Sequence, residues 1–592
     1  MVKPVLFVLG ASALPLALTL KEPLGAEIHT PDCVAGGDVN YGKATAHLAA
    51  LFAAGHPVIG LCAAGILIRA LAPHLTDKRS EPAVIALAED GSSVVPLLGG
   101  HHGANELARR IASLCGGHAA VTTASEVRFG FALDDPTPGF VLANPQDMKG
   151  ATAALLSGAA LAINGTLKPF PSARVSPGPD AVSLTVTELR TVGSRTNLIY
   201  HPKTLVMGLG CERNAEASEL IMLAEKALAD GNLSPSSLAM IASIDLKSDE
   251  AAIHAVAAHF GVPARFFSVE ALQAQTSRLK NPSQIVAKEV GVPGVAEAAA
   301  LAAAGTASEL IIEKTRSTRG TCAIAKAAQP LLTLPGQARG VVHVVGIGPG
   351  TPDWRAPAAT SALEASTDWV GYGLYLDLVA DVHSGQIEHR FPLGGEEDRV
   401  RHAIALAKQG KEVSLVCSGD AGIYAMAALV YEVIDLEPSR IAVNVIPGIS
   451  AFQAAAAKAG AMIGHDFCCI SLSDLLTPWE AIEKRLKAAA EGDFVISFYN
   501  PRSLKRRDQL ERAFAILKQH RPADAPVIIA SNLGRPEEKV KIVSFAEFNP
   551  DDVDMLTLVM VGSSQSKRFV RGNGKTYAYT PRGYAKKRET AE

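Results

Sequence analysis

Short apolar runs, each closed by a glycine, a proline or a polar turn and followed by a stretch with helical spacing, recur along most of the chain. Over residues 1–135 the runs "PVLFVLG", "HPVIGLCAAG", "AVIALAED" and "SVVPLL" alternate with "KATAHLAALFAAG" and "ANELARRIASLCG". The apolar runs are too short for helices and read as buried strands, while the stretches between them repeat apolar positions at helical intervals. That alternation predicts an α/β domain over 1–135. From 136 to 200 the pattern softens into a middle segment and linker. There "LDDPTPGFVLANP" is turn-rich, "MKGATAALLSGAALAI" reads as a helix and "KPFPSARVSPGPDAV" as a loop or boundary. A second α/β domain is expected over 201–330, opening with "TLVMGLGCERNAEASELIMLAEKAL" and closing with the strands "SELIIEKTR" and "TCAIAKA". The stretch "PLLTLPGQARG" then marks a linker over 331–340, and a last domain fills 341–592.

Composition narrows the class. At 592 residues the chain should hold several domains. Apolar residues make up 48 % and aromatics 5 %, which suits layered α/β domains better than a β-sandwich. The net charge of -3 gives no global attraction to nucleic acid. Cys33, Cys62, Cys115, Cys211, Cys322, Cys417, Cys468 and Cys469 are scattered with no C-x-x-C, so no disulfide framework and no metal site are expected. That usage fits the reducing cytoplasm. The opening "MVKPVLFVLGASALPLALTL" is interrupted by Gly10 and Pro15 and reads as a first strand and helix, not as a secretory signal. No apolar stretch reaches the ~18 residues of a membrane span, so no membrane partner is expected.

The last domain carries the most informative pattern. "VVHVVGIGPGTPDW" (341–354) runs a strand into a loop with Gly346, Gly348 and Gly350. A dinucleotide fingerprint needs G-x-G-x-x-G with its last glycine inside a helix; here Pro349 and Pro352 interrupt it. No Lys-Ser or Lys-Thr follows to make a P-loop. Further marked turns come in "VGYGLY" (370–375), "VCSGDAGIYAM" (416–426), "VIPGISAFQAA" (445–455), "ISFYNPRS" (496–503) and "IIASNLGRPEE" (528–538). Several strand ends of an open sheet converge on one crevice, so these loops are expected to cradle one compact, nucleoside-like ligand. Asp420 reads either as a site carboxylate or as a helix N-cap, and Tyr424 either as a site aromatic or as a core residue on the following helix.

Taken in order, "GIGPGTPD", "SGDAGIY", "IPGISAF" and "FYNPRS" resemble the tetrapyrrole methylases that use S-adenosylmethionine, in particular the precorrin-3B C17-methyltransferase branch of cobalamin biosynthesis. The resemblance spans about 341–590. It implies two α/β subdomains with a cleft between them and a homodimer formed through this domain. It also implies S-adenosylmethionine against Gly348, Pro349, Gly419, Asp420, Ile423, Ser450, Ala451, Tyr499, Asn532 and Leu533. Ring contraction accompanies methylation in that branch, for which Asp420, His465, Asp466 and Asp474 are acid-base candidates. A precorrin carries many carboxylates, and the basic stretch 500–521 places Arg502 and Lys505 beside a ligand loop as substrate-binding candidates.

A second resemblance lies in residues 60–112, "GLGCERNAEASEL", "SIDLKSDE" and "NPSQIVAKEVGVPGVAEAAAL". These look like the cobalamin biosynthesis family that opens the lactone of cobalt-precorrin-5A and releases acetaldehyde. Lactone opening requires a base or activated water. Within "GGHHGANELA", His101, His102 and Glu106 are the catalytic candidates, Asn105 reads as a possible N-cap, and Arg69, Asp77 and Lys78 lie on the preceding segment. Cys211 sits at a strand-to-helix turn where a reactive thiol is one reading and a buried one another. The expectation is therefore a bifunctional corrin-pathway enzyme. The alternatives are a chain whose first half only binds or delivers a tetrapyrrole, and a nucleotide-binding regulator.

Overall fold

The structure is a computed structural model that describes residues 3–76, 81–123, 129, 131–171, 173, 175, 176, 178, 180–503, 508–572 and 574–584. Asp77, Lys78 and Lys505 lie outside the described residues, as does the side chain of His101. The backbone divides into two compact units, Met1–Ser243 with Ala251–Pro335, and Ile244–Glu250 with Gly336–Glu592. Both are α/β.

The first unit opens on a seven-stranded sheet in which Val5–Val8 is flanked by Glu27–Pro31 on one side and by the central strand Val58–Leu61 on the other, all parallel. The inner strand Val5–Val8 is fully buried because helices cover both faces, which is why its sequence is uniformly apolar and not alternating. Within 136–200 the structure is more regular than the sequence pattern suggested: Phe140–Leu142, Asn197–Pro202, Val182–Val186 and Leu161–Asn164 form a four-stranded sheet. The helix expected through Ile163 ends at Leu156, and Gly158, at φ +101°, turns the chain so that "LAIN" pairs with Val182–Val186 instead. Ala- and Leu-rich sequence there suits either element, and burial of Leu161 against Leu184 and Tyr200 decides for the strand. The third sheet, Leu205–Cys211 with Leu238–Ile244, Gly320–Lys326 and Glu309–Arg316, matches the expected element order.

In the second unit, Ile387–Phe391, Asp368–Tyr372, Glu412–Cys417, Val341–Gly346 and Ala442–Ile446 form an all-parallel sheet in that order. A second sheet of Phe467–Ser471, Val495–Tyr499, Thr557–Val561, Pro526–Ser531 and Lys539–Ser544 is mixed. Each has its own apolar core, the first around Val342, Val344 and Leu415, the second around Ile496, Phe498 and Val559. In the first sheet Val341–Gly346 lies between Glu412–Cys417 and Ala442–Ile446, with Gly346 opposite Cys417 and Val345 opposite Ile446. That register brings the loops after three adjacent strands to one edge.

Candidate functional site

The three loops pack by backbone. Gly348 and Gly419 exchange hydrogen bonds, N–H to carbonyl at 3.1 Å one way and 2.8 Å the other. A Cβ on Gly346 would stand 2.8 Å from the Gly419 carbonyl and 2.8 Å from the Gly448 nitrogen; one on Gly448 would stand 2.2 Å from the Gly419 carbonyl. The glycines of "GIGPG" therefore let three loops touch, and only Pro349 of that motif faces the space they enclose. Asp420 locks the same junction: Oδ1 accepts from the Gly422 N–H at 2.8 Å and Oδ2 from the Gly448 N–H at 3.0 Å. It caps no helix, since the next one begins at Ala427.

These loops and the strand ends of the second sheet surround a cavity of about 230 Å³. Pro349, Gly419, Asp420 and Ile423 line one side of it, and Ala451, Tyr499, Asn532 and Leu533 also face it. Gly348 stands behind Pro349, and Ser450 precedes the helix Ala451–Ala459, its N–H donating to Gln453 Oε1 at 2.9 Å. The Tyr499 hydroxyl accepts from the Phe452 N–H at 3.4 Å, and burial raises the phenol above its ordinary pKa, so it stays protonated. Tyr424 is no core residue: it is 52 % exposed, lies in the loop before the helix, donates to the Cys469 carbonyl at 2.9 Å and stands 5.0 Å from the Tyr499 ring. Its φ is +52°. Asn500 at +48° and Asn532 at +51° share that left-handed conformation, so three non-glycine residues with positive φ line one cavity. Strain of this kind persists where surrounding structure enforces it, and it concentrates at ligand sites.

Sequence reasoning missed Tyr375, Ser418, Asn500, Arg535 and the segment Met555–Leu558, all of which line the cavity. Arg535 follows "SNLG" directly, a signal that was present in the motif. Its Nε donates to the Pro349 carbonyl at 3.2 Å and its Nη2 to Ser418 Oγ at 2.9 Å. Arg502, the expected substrate cation, is turned elsewhere: it pairs with Asp551 at 2.8 Å and donates to the Pro550 carbonyl at 2.6 Å. His465, Asp466 and Asp474 are not among the cavity residues; the first two form an exposed pair at 3.8 Å and Asp474 accepts from Gln509.

In the first unit, "GGHHGANELA" forms a short turn, Gly100–His102, and the helix Ala104–Cys115. His102 and Glu106 are exposed. The N-cap is Gly103 at φ +74°, and Asn105 is buried inside the first turn with its Nδ2 donating to Thr123 Oγ1 at 3.2 Å. Arg69 donates to the Gly65 carbonyl and Cys211 ends its strand half-buried. A cluster not anticipated lies across the sheet's early strands: His29 Nδ1 and His47 Nε2 are 2.8 Å apart, and His47 stacks on Tyr41, which stacks on Phe7. Burial, and after it the neighbouring His47, pulls the His29 pKa down to about 4. Among the described residues no group of three or more His, Cys, Asp or Glu could hold a metal ion, and no helix is long and apolar enough to cross a membrane.

A parallel sheet and a mixed sheet, each with its own core and both lending strand-end loops to one cavity, define a two-subdomain α/β class distinct from the dinucleotide-binding folds. Residues 341–549 match the model for Tetrapyrrole (Corrin/Porphyrin) Methylases, and the chain belongs to that family. Residues 46–126 match Cobalamin synthesis G N-terminal and 205–325 match Cobalamin synthesis G C-terminus, so the expected fusion is present. The chain is 41 % identical to the precorrin-3B C(17)-methyltransferase of Sinorhizobium sp over 42 % of its own length and 98 % of that protein. It is 43 % identical to the cobalamin biosynthesis protein CobIJ of Mycobacterium bovis over 43 % of this chain and 51 % of that one. It thus spans about half the length of that relative. The crystal structure of the methyltransferase CobJ is 40 % identical, covering 41 % of this chain and 100 % of that one, with a TM-score of 0.39.

Proposed function

We propose that the chain is a bifunctional enzyme of corrin-ring biosynthesis. Its second unit would methylate C17 of precorrin-3B or its cobalt counterpart with ring contraction, and its first unit would open the lactone of (cobalt-)precorrin-5A with release of acetaldehyde. The observation that carries the first activity is the cavity itself, built from the motif residues of a segment similar over nearly the full length of a precorrin-3B C(17)-methyltransferase.

S-adenosylmethionine suits this site. Ile423, Ala451, Leu533 and Leu558 offer apolar walls, and the Gly419 face is open, since a Cβ there would meet nothing closer than 3.9 Å. When bound, the cofactor supplies an electrophilic methyl group. The protein's part is to position and desolvate, because methyl transfer to an electron-rich carbon needs no strong base. With both oxygens already accepting backbone N–H groups, Asp420 supports the role of holding loops 418–422 and 447–450 together more directly than that of a proton carrier. Pro349 and Tyr499 keep their places by packing and hydrogen bonding, and Tyr424 closes the aromatic wall.

Lactone opening is assigned to the first unit on its similarity to the Cobalamin synthesis G domains, with His101, His102 and Glu106 as the residues to test. A cytoplasmic location and a homodimer through the methylase domain complete the reading. The test is incubation of the full chain with S-adenosylmethionine and precorrin-3B or its cobalt form. The expected result is a product heavier by one methyl group, with acetaldehyde released only when the lactone-bearing intermediate is supplied. Tight NAD binding with no S-adenosylhomocysteine binding and no methyl transfer would refute the reading.

A further inference from the structure

The cavity holds a guanidinium without an acid. Arg535 has five N–H donors, of which Nε–H goes to the Pro349 carbonyl and one Nη2–H to Ser418 Oγ. Among the described residues, both hydrogens of Nη1 and the second of Nη2 have no protein acceptor, and no carboxylate pairs with this side chain. The acids nearby are engaged elsewhere. Asp420 accepts from Gly422 and Gly448; Glu538 accepts from the Gly534 N–H at 2.8 Å and pairs with Lys458 at 2.7 Å. A second guanidinium, Arg399, is 3 % exposed, donates only to Met426 Sδ and the Pro392 carbonyl, and leaves its Nε without a partner. Arg535 and Tyr375 both line the cavity. Burying positive charge without a counter-charge is unfavourable unless a ligand supplies one.

We propose that Arg535 is the carboxylate-binding subsite of this cavity. The fork of Nη1 and Nη2 is suited to a bidentate carboxylate, which a lysine at this position could not reproduce. Two sources fit that chemistry: the amino-acid end of the methyl donor, and an acetate or propionate of the macrocycle. The proposal rests on the methyltransferase reading and replaces Arg502, whose charge is already neutralised by Asp551.

The test uses the full chain and the variants Arg535→Met and Arg535→Lys, checked by thermal melting for an unchanged fold. Binding is measured by calorimetry with S-adenosylhomocysteine and with 5′-methylthioadenosine, which lacks the amino-acid end, and KM and kcat are measured with the precorrin. If the cofactor supplies the carboxylate, Arg535→Met weakens S-adenosylhomocysteine about ten- to hundredfold and leaves methylthioadenosine within about twofold, with Arg535→Lys in between. If the macrocycle supplies it, both nucleosides bind normally and KM for the precorrin rises about tenfold with kcat preserved. Equal loss of both nucleosides would mark Arg535 as a strut between loops and overturn the proposal, as would no change in any of these quantities. Wild-type protein that binds neither nucleoside removes the methyltransferase reading and the subsite with it.

Discussion

Gly448→Ala is the sharpest probe of how the loops of the second unit are held. Its Cβ would lie 2.2 Å from the Gly419 carbonyl oxygen and 2.7 Å from the carbonyl carbon and oxygen of Gly346, where ordinary contact begins at 3.4 Å. All three atoms are backbone of neighbouring loops, so no side chain can rotate away. At least one loop must move by about 1 Å, a displacement of the size that costs about 100-fold when it misplaces reacting groups. Overpacking of this kind destabilises by roughly 1–3 kcal/mol. Loss of the Gly448 N–H bond to Asp420 would add to it. Gly422→Ala is the control: its Cβ would meet only a side-chain atom, Asp420 Oδ1, at 3.3 Å. Calorimetric titration with S-adenosylhomocysteine on the full chain should show a loss of at least tenfold for Gly448→Ala and less than about threefold for Gly422→Ala. If Gly448→Ala binds like wild type with an unchanged melting temperature, the loops are not locked by backbone contact and the account of "GIGPG" is wrong.

Further outcomes follow from the same geometry. Asp420→Asn keeps one acceptor oxygen for two backbone N–H groups, so the second unit should lose about 1–2 kcal/mol in urea unfolding and bind S-adenosylhomocysteine about tenfold less well. Arg502→Ala should leave nucleoside affinity and precorrin KM within about twofold, because its charge is spent on the exposed Asp551 and the residue does not line the cavity. The folded pKa of His29 is held at about 4, below its ordinary value near 6.5, so the unfolded chain binds the proton first. Stability is therefore unaffected above pH 6.5 and falls as the pH drops from 6.5 toward 4, by roughly 3 kcal/mol at the lower end. Hydrogen exchange over residues 5–8 and 27–31 at pH 7 and pH 5 reads this directly, and His29→Leu should flatten the dependence.

Much of this molecule is legible in its apolar pattern. The uniform run "VLFV" belongs to a strand buried on both faces, which admits no polar alternate, while "VVHVVG" is buried throughout except at Val341 and His343. The ordered turn motifs marked out most of the cavity wall, because each glycine or proline sits where a strand must end and a loop begin. Residues 140–202 were less legible: "LSGAALAIN" has the composition of a helix, and only pairing with Val182–Val186 makes its end a strand. Tyr424 was equally ambiguous until the chain's positive φ there placed it outside the helix.

The sequence by itself determined the α/β class, the order of elements and the set of loops that would meet, since these follow from local spacing and from where glycine and proline stand. Tertiary structure decided which charges matter. Arg502 and Arg535 both follow a turn motif at a strand end, yet one folds against Asp551 and the other reaches across to Pro349 and Ser418. Nothing in their neighbours along the chain distinguishes them. The difference lies in what the rest of the fold brings within about 3 Å, and a charge acts at a site according to the partners it is left with.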